Sequence, residues 1–349
     1  MGEIALDGRG GRGCRGIARV ARQRPQEPDQ GHHQPEDDDE QDDPIRDAHP
    51  AVSPRPWDDA QNGTSAPRGE SPHFTGGGVP ESRSPGGAGM AEHGFAGRGA
   101  VVTGAGAGIG RAIATAFARR GAAVAVVDLH PDRVAETVAA IEDAPGRAVA
   151  VPGDVRTQAG VERIIEEAVR HLGHLDILVN NAGVYPNCPV LDMPEDQWNA
   201  VIDTNLKGTF LMSQAAARRM VAERRAGHIV NIASGAYKSA RRGAAHYCAS
   251  KAGLVMFSRV LAQELADHRI HVNVVSPGLI DVGRRGDVNP RYRETLMTTI
   301  PWGRMGEPSE IADAVLFLAS PGAEFITGAV LDVDGGSSAG RYFLPYSRG

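Results

Sequence analysis

Residues 99–121 read GAVVTGAGAGIGRAIATAFARRG, and their order decides the fold. A short apolar run, Gly99 to Thr103, passes into a glycine loop and then into a segment with apolar residues at Ile113, Ala116, Phe117 and Ala118 that stops at Gly121. This is the pattern of a strand, a loop and an amphipathic helix ended by glycine. A helix that opens on glycines offers unpaired N–H groups to an anion, and glycine lets a pyrophosphate approach the backbone. A glycine-rich loop alone is a weak signal, and the strand before and helix after strengthen it. The spacing narrows the choice. G-x-G-x-x-G starting at Gly104 fails because Ile109 stands at the last glycine position, whereas T-G-x-x-x-G-x-G fits with Thr103, Gly104, Gly108 and Gly110. No Gly-Lys-Ser/Thr follows, which excludes a P-loop.

Working outward, AAVAVVD ends at Asp128, 24 residues after Gly104. An acid at that place accepts hydrogen bonds from an adenosine ribose and repels a 2'-phosphate, so NAD is expected in preference to NADP. The plainer role for Asp128 is to cap the helix beginning HPDRV, and Arg111 and Arg133 are cations that would soften the preference. RAVAV (147–151) reads as a third strand, with Asp154 and Val155 following where an adenine would lie. A helix is expected from Thr157 to Leu172, with Val161, Ile164, Ile165, Ala168, Val169 and Leu172 as its apolar stripe. LDILVNNAG then gives a fourth strand that breaks at Asn180, Asn181, Ala182 and Gly183. Wholly apolar strands alternating with helices predict a parallel sheet covered on both faces, with ligands outside the carboxyl ends of the strands.

TGAGAGIG, Asp128, Asp154-Val155 and NNAG together resemble the short-chain dehydrogenase/reductase family, over about residues 95–337. The resemblance implies an α/β fold: a single-domain, Rossmann-like, doubly wound parallel sheet with helices on both faces. It implies cofactor contacts at Gly104, Gly108, Ile109, Gly110, Asp128, Asp154, Val155, Asn181, Pro277, Gly278 and Ile280, with Tyr247 and Lys251 also reaching the cofactor. It implies a catalytic set of Asn205, Ser234, Tyr247 and Lys251. Ser234 ends GHIVNIAS, Tyr247 follows 13 residues later and Lys251 four after that, the family's spacing. In the family the asparagine holds a water beside the lysine; a buried Asn satisfying backbone groups at a helix kink is the plainer account of Asn205, and the two are compatible. The family also sets the nicotinamide against the PG turn of RIHVNVVSPG. Here PGLIDV departs from the pattern, with Val282 where a threonine commonly bonds the carboxamide, which leaves that contact to the backbone of Ile280. Family members bury subunit contacts around such helices, so a homo-oligomer, tetramer or dimer, is expected.

The chemistry follows from residue types. Tyr247 and Lys251 project from one helix face. A cation about 4 Å from a phenol, at an effective dielectric near ~20, favours the phenolate by roughly 4 kcal/mol, or about 3 pKa units. Taken alone, the pair reads more simply as a packed tyrosine and a solvated lysine; the remaining motifs outweigh that. A carbonyl that receives hydride becomes an alkoxide and needs a proton and a hydrogen-bond donor, which Tyr247 and Ser234 supply. The expected activity is hydride transfer between a nicotinamide cofactor, NAD preferred, and a secondary alcohol or ketone. Two other readings stand beside it: a carrier-protein-linked 3-oxoacyl reductase using NADPH, suggested by IPWGRMGEP, and a catalytically silent NAD-binding regulatory protein, suggested by Val282. Tyr185, Asn187, Cys188, Ala236, Tyr237 and Trp302 are expected near the substrate, under a lid at residues 283–303. The helix of GEPSEIADAVLFLAS is expected to open at Pro308, and ITGAVLDVDGG gives the last strand.

The chain has 349 residues, 41% of them hydrophobic, and a net charge of -6, which gives no reason to expect nucleic acid or an anionic membrane as partner. Three cysteines, Cys14, Cys188 and Cys248, fit neither a disulfide framework nor a metal site, and a cytoplasmic location is expected. No apolar run of about 18 residues suggests a membrane span. Residues 1–89 are rich in Gly, Arg, Pro and acids and lack apolar periodicity, so a disordered extension is expected before a dehydrogenase domain at 90–349, with Met90 as a candidate native start. The cluster Tyr342, Phe343, Leu344 and Tyr346 is expected to cover a neighbouring subunit or the pocket.

Overall fold

The computed structural model describes residues 94–283 and 290–340, apart from the side chains of 290–293. The expectations for the extension, for Met90, for the terminal aromatic cluster and for much of the lid lie outside the described residues. Seven strands form one sheet: β1 (Gly99–Thr103), β2 (Ala123–Asp128), β3 (Arg147–Pro152), β4 (Ile177–Asn180), β5 (Gly227–Ile232), β6 (Ile270–Pro277) and β7 (Val330–Val333). Their order is β3-β2-β1-β4-β5-β6-β7 and every pairing is parallel. The chain order reverses between β1 and β4, and such a switch point opens a crevice at the carboxyl ends of the strands.

The helices are α1 (Gly108–Arg119), α2 (Pro131–Ala139), α3 (Gln158–Leu172), α4 (Glu195–Ile202), α5 (Gly208–Ala222), α6 (Ala245–Glu264), α7 (Pro290–Met297) and α8 (Pro308–Leu318). Alternation along each strand sends successive side chains to opposite faces. Ala100 and Val102 join Ile113 and Phe117 of α1 and Ile311 and Val315 of α8, while Val101 joins Ile164 and Ala168 of α3 and Met212 and Ala216 of α5. The α3 stripe read from the sequence is buried, and Thr157 caps that helix by accepting from the Gly160 N–H at 3.1 Å. In α8 the start differs from the reading by one device: Glu307 is the N-cap and forms a reciprocal capping box with Glu310, with Pro308 inside the first turn.

Two boundaries also differ from the sequence reading. The helix expected around Asn205 is divided into α4 and α5 by one π-helical turn, Asp203–Lys207. β5 ends at Ile232, and Ser234 instead caps a short 3-10 turn, Gly235–Tyr237, its Oγ accepting from Ala236 N–H at 3.3 Å.

The amino ends of the strands are held by charge. Asp176, fully buried, accepts from Gly99 N–H at 2.7 Å and from Arg225 at 2.9 Å, with His174 Nε2 3.0 Å away. Beside it the buried His228 stacks on His271 at 4.8 Å, and burial, reinforced by His271 and Arg98, lowers its pKa to about 4. His228 is therefore neutral in the fold, and the unfolded chain binds the proton first as pH falls. Its stabilising contribution is complete above pH 6.5 and is lost as pH falls from 6.5 towards 4. We expect about 3 kcal/mol of stability to disappear across that window, from the size of the shift. Denaturant titrations of wild type and His228→Gln at a series of pH values check this: the variant should have the flatter profile, and parallel profiles would contradict it.

Candidate active site

The glycine loop is shaped by what surrounds it. Gly104 has φ 61°, and a Cβ there would stand 2.8 Å from Ala182 Cα; one at Gly110 would stand 2.2 Å from the Gly104 carbonyl oxygen. Thr103 Oγ1 accepts from Asn181 N–H at 3.0 Å and Ala182 N–H at 3.1 Å, and Asn181 Nδ2 donates to the carbonyls of Thr103 and Gly104 at 3.1 Å each. Asn181 thus clamps the ends of β1 and β4 together.

Two cavities flank this clamp. One is lined by Gly104, Val127, Asp128, Leu129, Gly153, Asp154, Val155, Arg156, Ala182 and Thr204, the other by Ile109, Asn181, Gly183, Tyr185, Ile232, Ala233, Ser234, Tyr247, Lys251 and Pro277. The first holds the residues expected around an adenosine and the second those expected around a nicotinamide. The arrangement fits a dinucleotide stretched across the glycine loop.

At the first cavity Asp128 accepts from Gly106 N–H and from His130 N–H, both at 3.1 Å. It therefore does not cap α2, whose N-cap is His130 without a side-chain bond. Two of its roughly four lone-pair sites remain for ligand hydroxyls. Arg111, flagged above as a cation that would soften the cofactor preference, is engaged by the Gly106 carbonyl at 2.6 Å and by Glu136 at 2.9 Å. Asp154 is gripped by the Arg156 fork at 2.7 to 3.0 Å, which holds its carboxyl below the ordinary value. Arg156 was not singled out in the sequence, although its place two residues after Asp154 is the signal.

At the second cavity the tyrosine, serine and lysine converge. Tyr247 and Ser234 line the same cavity wall, and Lys251 Nζ stands 5.8 Å from the Tyr247 ring centre while donating to the Ile232 carbonyl at 2.7 Å. All three are buried. Burial lowers the Lys251 pKa to about 8. The Tyr247 pKa is raised, with burial the largest cause, opposed by Ser234 and by Arg241. The sequence predicts a phenol acidified by Lys251; here desolvation of the phenolate outweighs the lowering causes, which are Ser234 and Arg241. Asn205, fully buried, accepts from Val184 N–H at 2.8 Å and donates to the Val184 carbonyl at 2.9 Å and to Ser250 Oγ at 3.3 Å. It straps the loop after β4 to the helix that carries Tyr247.

Pro277 lines the cavity, and Gly278 donates to the Val333 carbonyl at 3.0 Å, so close to Asp334 that a Cβ would come within 2.7 Å. Ile280 is buried opposite Gly306, and Val282 packs on the hydrophobic cluster containing Ile109 and Ile280. Of the expected substrate neighbours, Tyr185 meets Tyr247 edge-to-face at 5.9 Å. Ala236 packs around Tyr247, Tyr237 packs towards Leu254, and Cys188 is buried with its N–H bonded to the Gly243 carbonyl. Trp302 does not belong with them: it is exposed and lines a separate cavity with Leu279, Arg304, Asp332 and Asp334. Sequence reading also missed Arg241, whose guanidinium carbon lies 5.7 Å from the Tyr247 ring centre. Among the described residues no group of three or more His, Cys, Asp or Glu is arranged for a metal, and no helix is long and apolar enough to cross a membrane.

The chain is similar to known proteins. The family described as enoyl-(acyl carrier protein) reductase matches residues 104–338. The chain is 37% identical over 240 residues to the 3-oxoacyl-[acyl-carrier-protein] reductase FabG of Thermotoga maritima, covering 69% of this chain and 97% of that one. It is 38% identical over 261 residues to the 2,3-dihydro-2,3-dihydroxybenzoate dehydrogenase of Bacillus subtilis, covering 72% of this chain and all of that one. A solved structure, a putative short-chain alcohol dehydrogenase from Sinorhizobium meliloti, superposes with a TM-score of 0.69 at 40% identity, over 71% of this chain and 99% of its own. With the fold, the clamped glycine loop and these relatives in agreement, the chain belongs to the short-chain dehydrogenase/reductase family and is an NAD(P)-dependent oxidoreductase.

Proposed function

We propose that the protein is an NAD-preferring dehydrogenase of a secondary alcohol, or equivalently a ketone reductase, with Tyr247 as its acid/base. The observation that carries this reading is the convergence of Ser234, Tyr247 and Lys251 on one cavity with Ile109, Asn181 and Pro277. Gly104, Gly108, Ile109 and Gly110 would hold the pyrophosphate, Asp128 the adenosine ribose, Asp154 and Val155 the adenine, and Asn181, Pro277, Gly278 and Ile280 the nicotinamide end. When bound, the cofactor supplies or accepts the hydride. In reduction the Tyr247 hydroxyl gives its proton to the oxygen that becomes an alkoxide, while Ser234 Oγ donates a second bond to it. In oxidation the Tyr247 phenolate takes the alcohol proton as the C–H bond gives up hydride, leaving a carbonyl. Burial raises the Tyr247 pKa and favours the protonated acid, while Ser234 and Arg241 favour its phenolate. Asn205 positions the loop around Val184 and the helix turn bearing Tyr247.

The NAD preference rests on Asp128, whose carboxylate would repel a 2'-phosphate, and on Arg111, whose charge is taken up by Glu136. The same acid counts against an NADPH-dependent reductase of carrier-protein-bound substrates, the runner-up favoured by the FabG relatives. Exposed apolar side chains at Phe210 of α5 and at Met256 and Val260 of α6 favour a homo-oligomer, tetramer or dimer.

Secondary alcohols and the matching ketones, scored by NADH or NADPH absorbance, test the reading: turnover is expected with NAD or NADH, and NAD binding without turnover of any of them would favour the silent regulatory protein. Asp128→Ala should raise the NADP-to-NAD ratio of kcat/KM by roughly tenfold or more, the loss of one charge repulsion; an unmoved ratio contradicts the assignment. Light scattering on the purified protein at micromolar concentration should give a multiple of the chain mass, and a monomer would refute the oligomer.

A further inference from the structure

Arg241 is the cation at this site that the chemistry above leaves unused. It lies in the loop between the 3-10 turn that follows Ser234 and α6, where its carbonyl accepts from Ala244 N–H at 3.2 Å. Its guanidinium is half-buried over the Tyr247 ring. Its Nε is wholly buried and has no hydrogen-bond partner among the described residues. Among the described residues its one side-chain bond is long, 3.4 Å from a terminal nitrogen to Asn187 Oδ1. Among the described residues no carboxylate pairs with it. Four other cations at this end of the sheet are paired with acids: Lys238 with Asp332, Arg156 with Asp154, Arg304 with Glu310 and Arg111 with Glu136. A half-buried guanidinium with an unsatisfied N–H is costly unless an anion meets it.

The surroundings say which anion. Asn187, which Arg241 bonds, is two residues from Tyr185, whose ring meets that of Tyr247 in the cavity wall. Arg241 and Tyr185 therefore flank the proposed proton donor, one on each of two loops that are joined by the Cys188 N–H to Gly243 carbonyl bond at 2.8 Å. An anionic group meeting Arg241 lies close to the carbon that changes oxidation state. A carboxylate on a small substrate satisfies this, and it matches the planar fork of a guanidinium with two parallel hydrogen bonds. The phosphate of a pantetheine arm does not, because a long chain separates it from the reacting carbonyl.

We propose that Arg241 is the substrate-binding residue for a carboxylate, and that the protein acts on small hydroxy acids or oxo acids rather than on neutral alcohols. The turnover half of this statement rests on the dehydrogenase reading; the binding half does not. Arg241 also lowers the pKa of Tyr247, so a carboxylate on Arg241 would weaken its pull on the phenol.

Two measurements separate the possibilities. Calorimetric titration of the NAD-loaded protein with benzoate and with the isosteric neutral benzamide reads the site without turnover. Benzoate should bind roughly tenfold tighter or more, and Arg241→Gln should remove the difference while NAD binding persists. Equal binding of the two probes, or a benzoate preference that survives in Arg241→Gln, would overturn the proposal. The second measurement compares kcat/KM for 2- and 3-hydroxy acids with their methyl esters. The acid-over-ester ratio should be large in wild type, partly kept in Arg241→Lys and collapsed in Arg241→Gln. Turnover of esters and neutral alcohols but not acids would sink the proposal and leave the dehydrogenase standing. Benzoate binding through Arg241 without turnover of any hydroxy or oxo acid would keep the carboxylate site and overturn both the substrate claim and the dehydrogenase reading.

Discussion

The site depends on one set of side-chain-to-backbone bonds, those between Asn181 and Thr103 at the switch point of the sheet. Parallel strands that run in from opposite sides leave their last carbonyls and N–H groups without ladder partners exactly where a ligand must bind, so something other than the sheet must fix them. Asn181 Nδ2 takes the carbonyls of Thr103 and Gly104, while the Thr103 hydroxyl accepts from two N–H groups after β4. The same device recurs along the edge. Asn205 closes on both backbone groups of Val184, and Lys251 donates to the Ile232 carbonyl just before Ser234. Each strap leaves the glycine loop, the substrate loop and the Tyr247 helix rigid relative to one another, as positioning of a hydride donor requires.

Electrostatics at Tyr247 are a balance rather than a simple depression of its pKa. Coulomb attraction from a nearby ammonium would favour the phenolate, but the phenol is buried, and desolvation of the charged form is the larger effect. Lys251 is subject to the same burial, which brings its pKa down to about 8 and leaves it mainly protonated at neutral pH. The pair is thereby held with proton on tyrosine and charge on lysine. Arg241 adds a second cation beside the ring, and a substrate anion there would complete the charge balance.

Much of the fold was legible because apolar strands and amphipathic helices carry their own periods: the β1 to α1 unit, the α3 stripe and the NNAG break stand where the sequence places them. The members of the proposed site were legible through spacing, since Gly104, Asn181, Ser234, Tyr247 and Lys251 are marked by distances along the chain. What was not legible depends on placement by loops. Nothing local says that Arg241 lies over the Tyr247 ring, that Arg156 grips Asp154, or that Trp302 lines another cavity. The π-helical turn at Asn205 escaped because DTNLK reads as ordinary helix, and the direction of the Tyr247 shift escaped because burial is a tertiary property.

The most direct test of the central claim is the Tyr247→Phe variant, compared with wild type for both turnover and NAD affinity, using any alcohol that wild type oxidises. Removing the hydroxyl removes the proton donor and leaves the ring that packs the wall, so turnover should fall by about 10²-fold or more while NAD binds as before. Turnover close to the wild-type rate, with NAD still bound, would show that the proton passes elsewhere and would contradict the account.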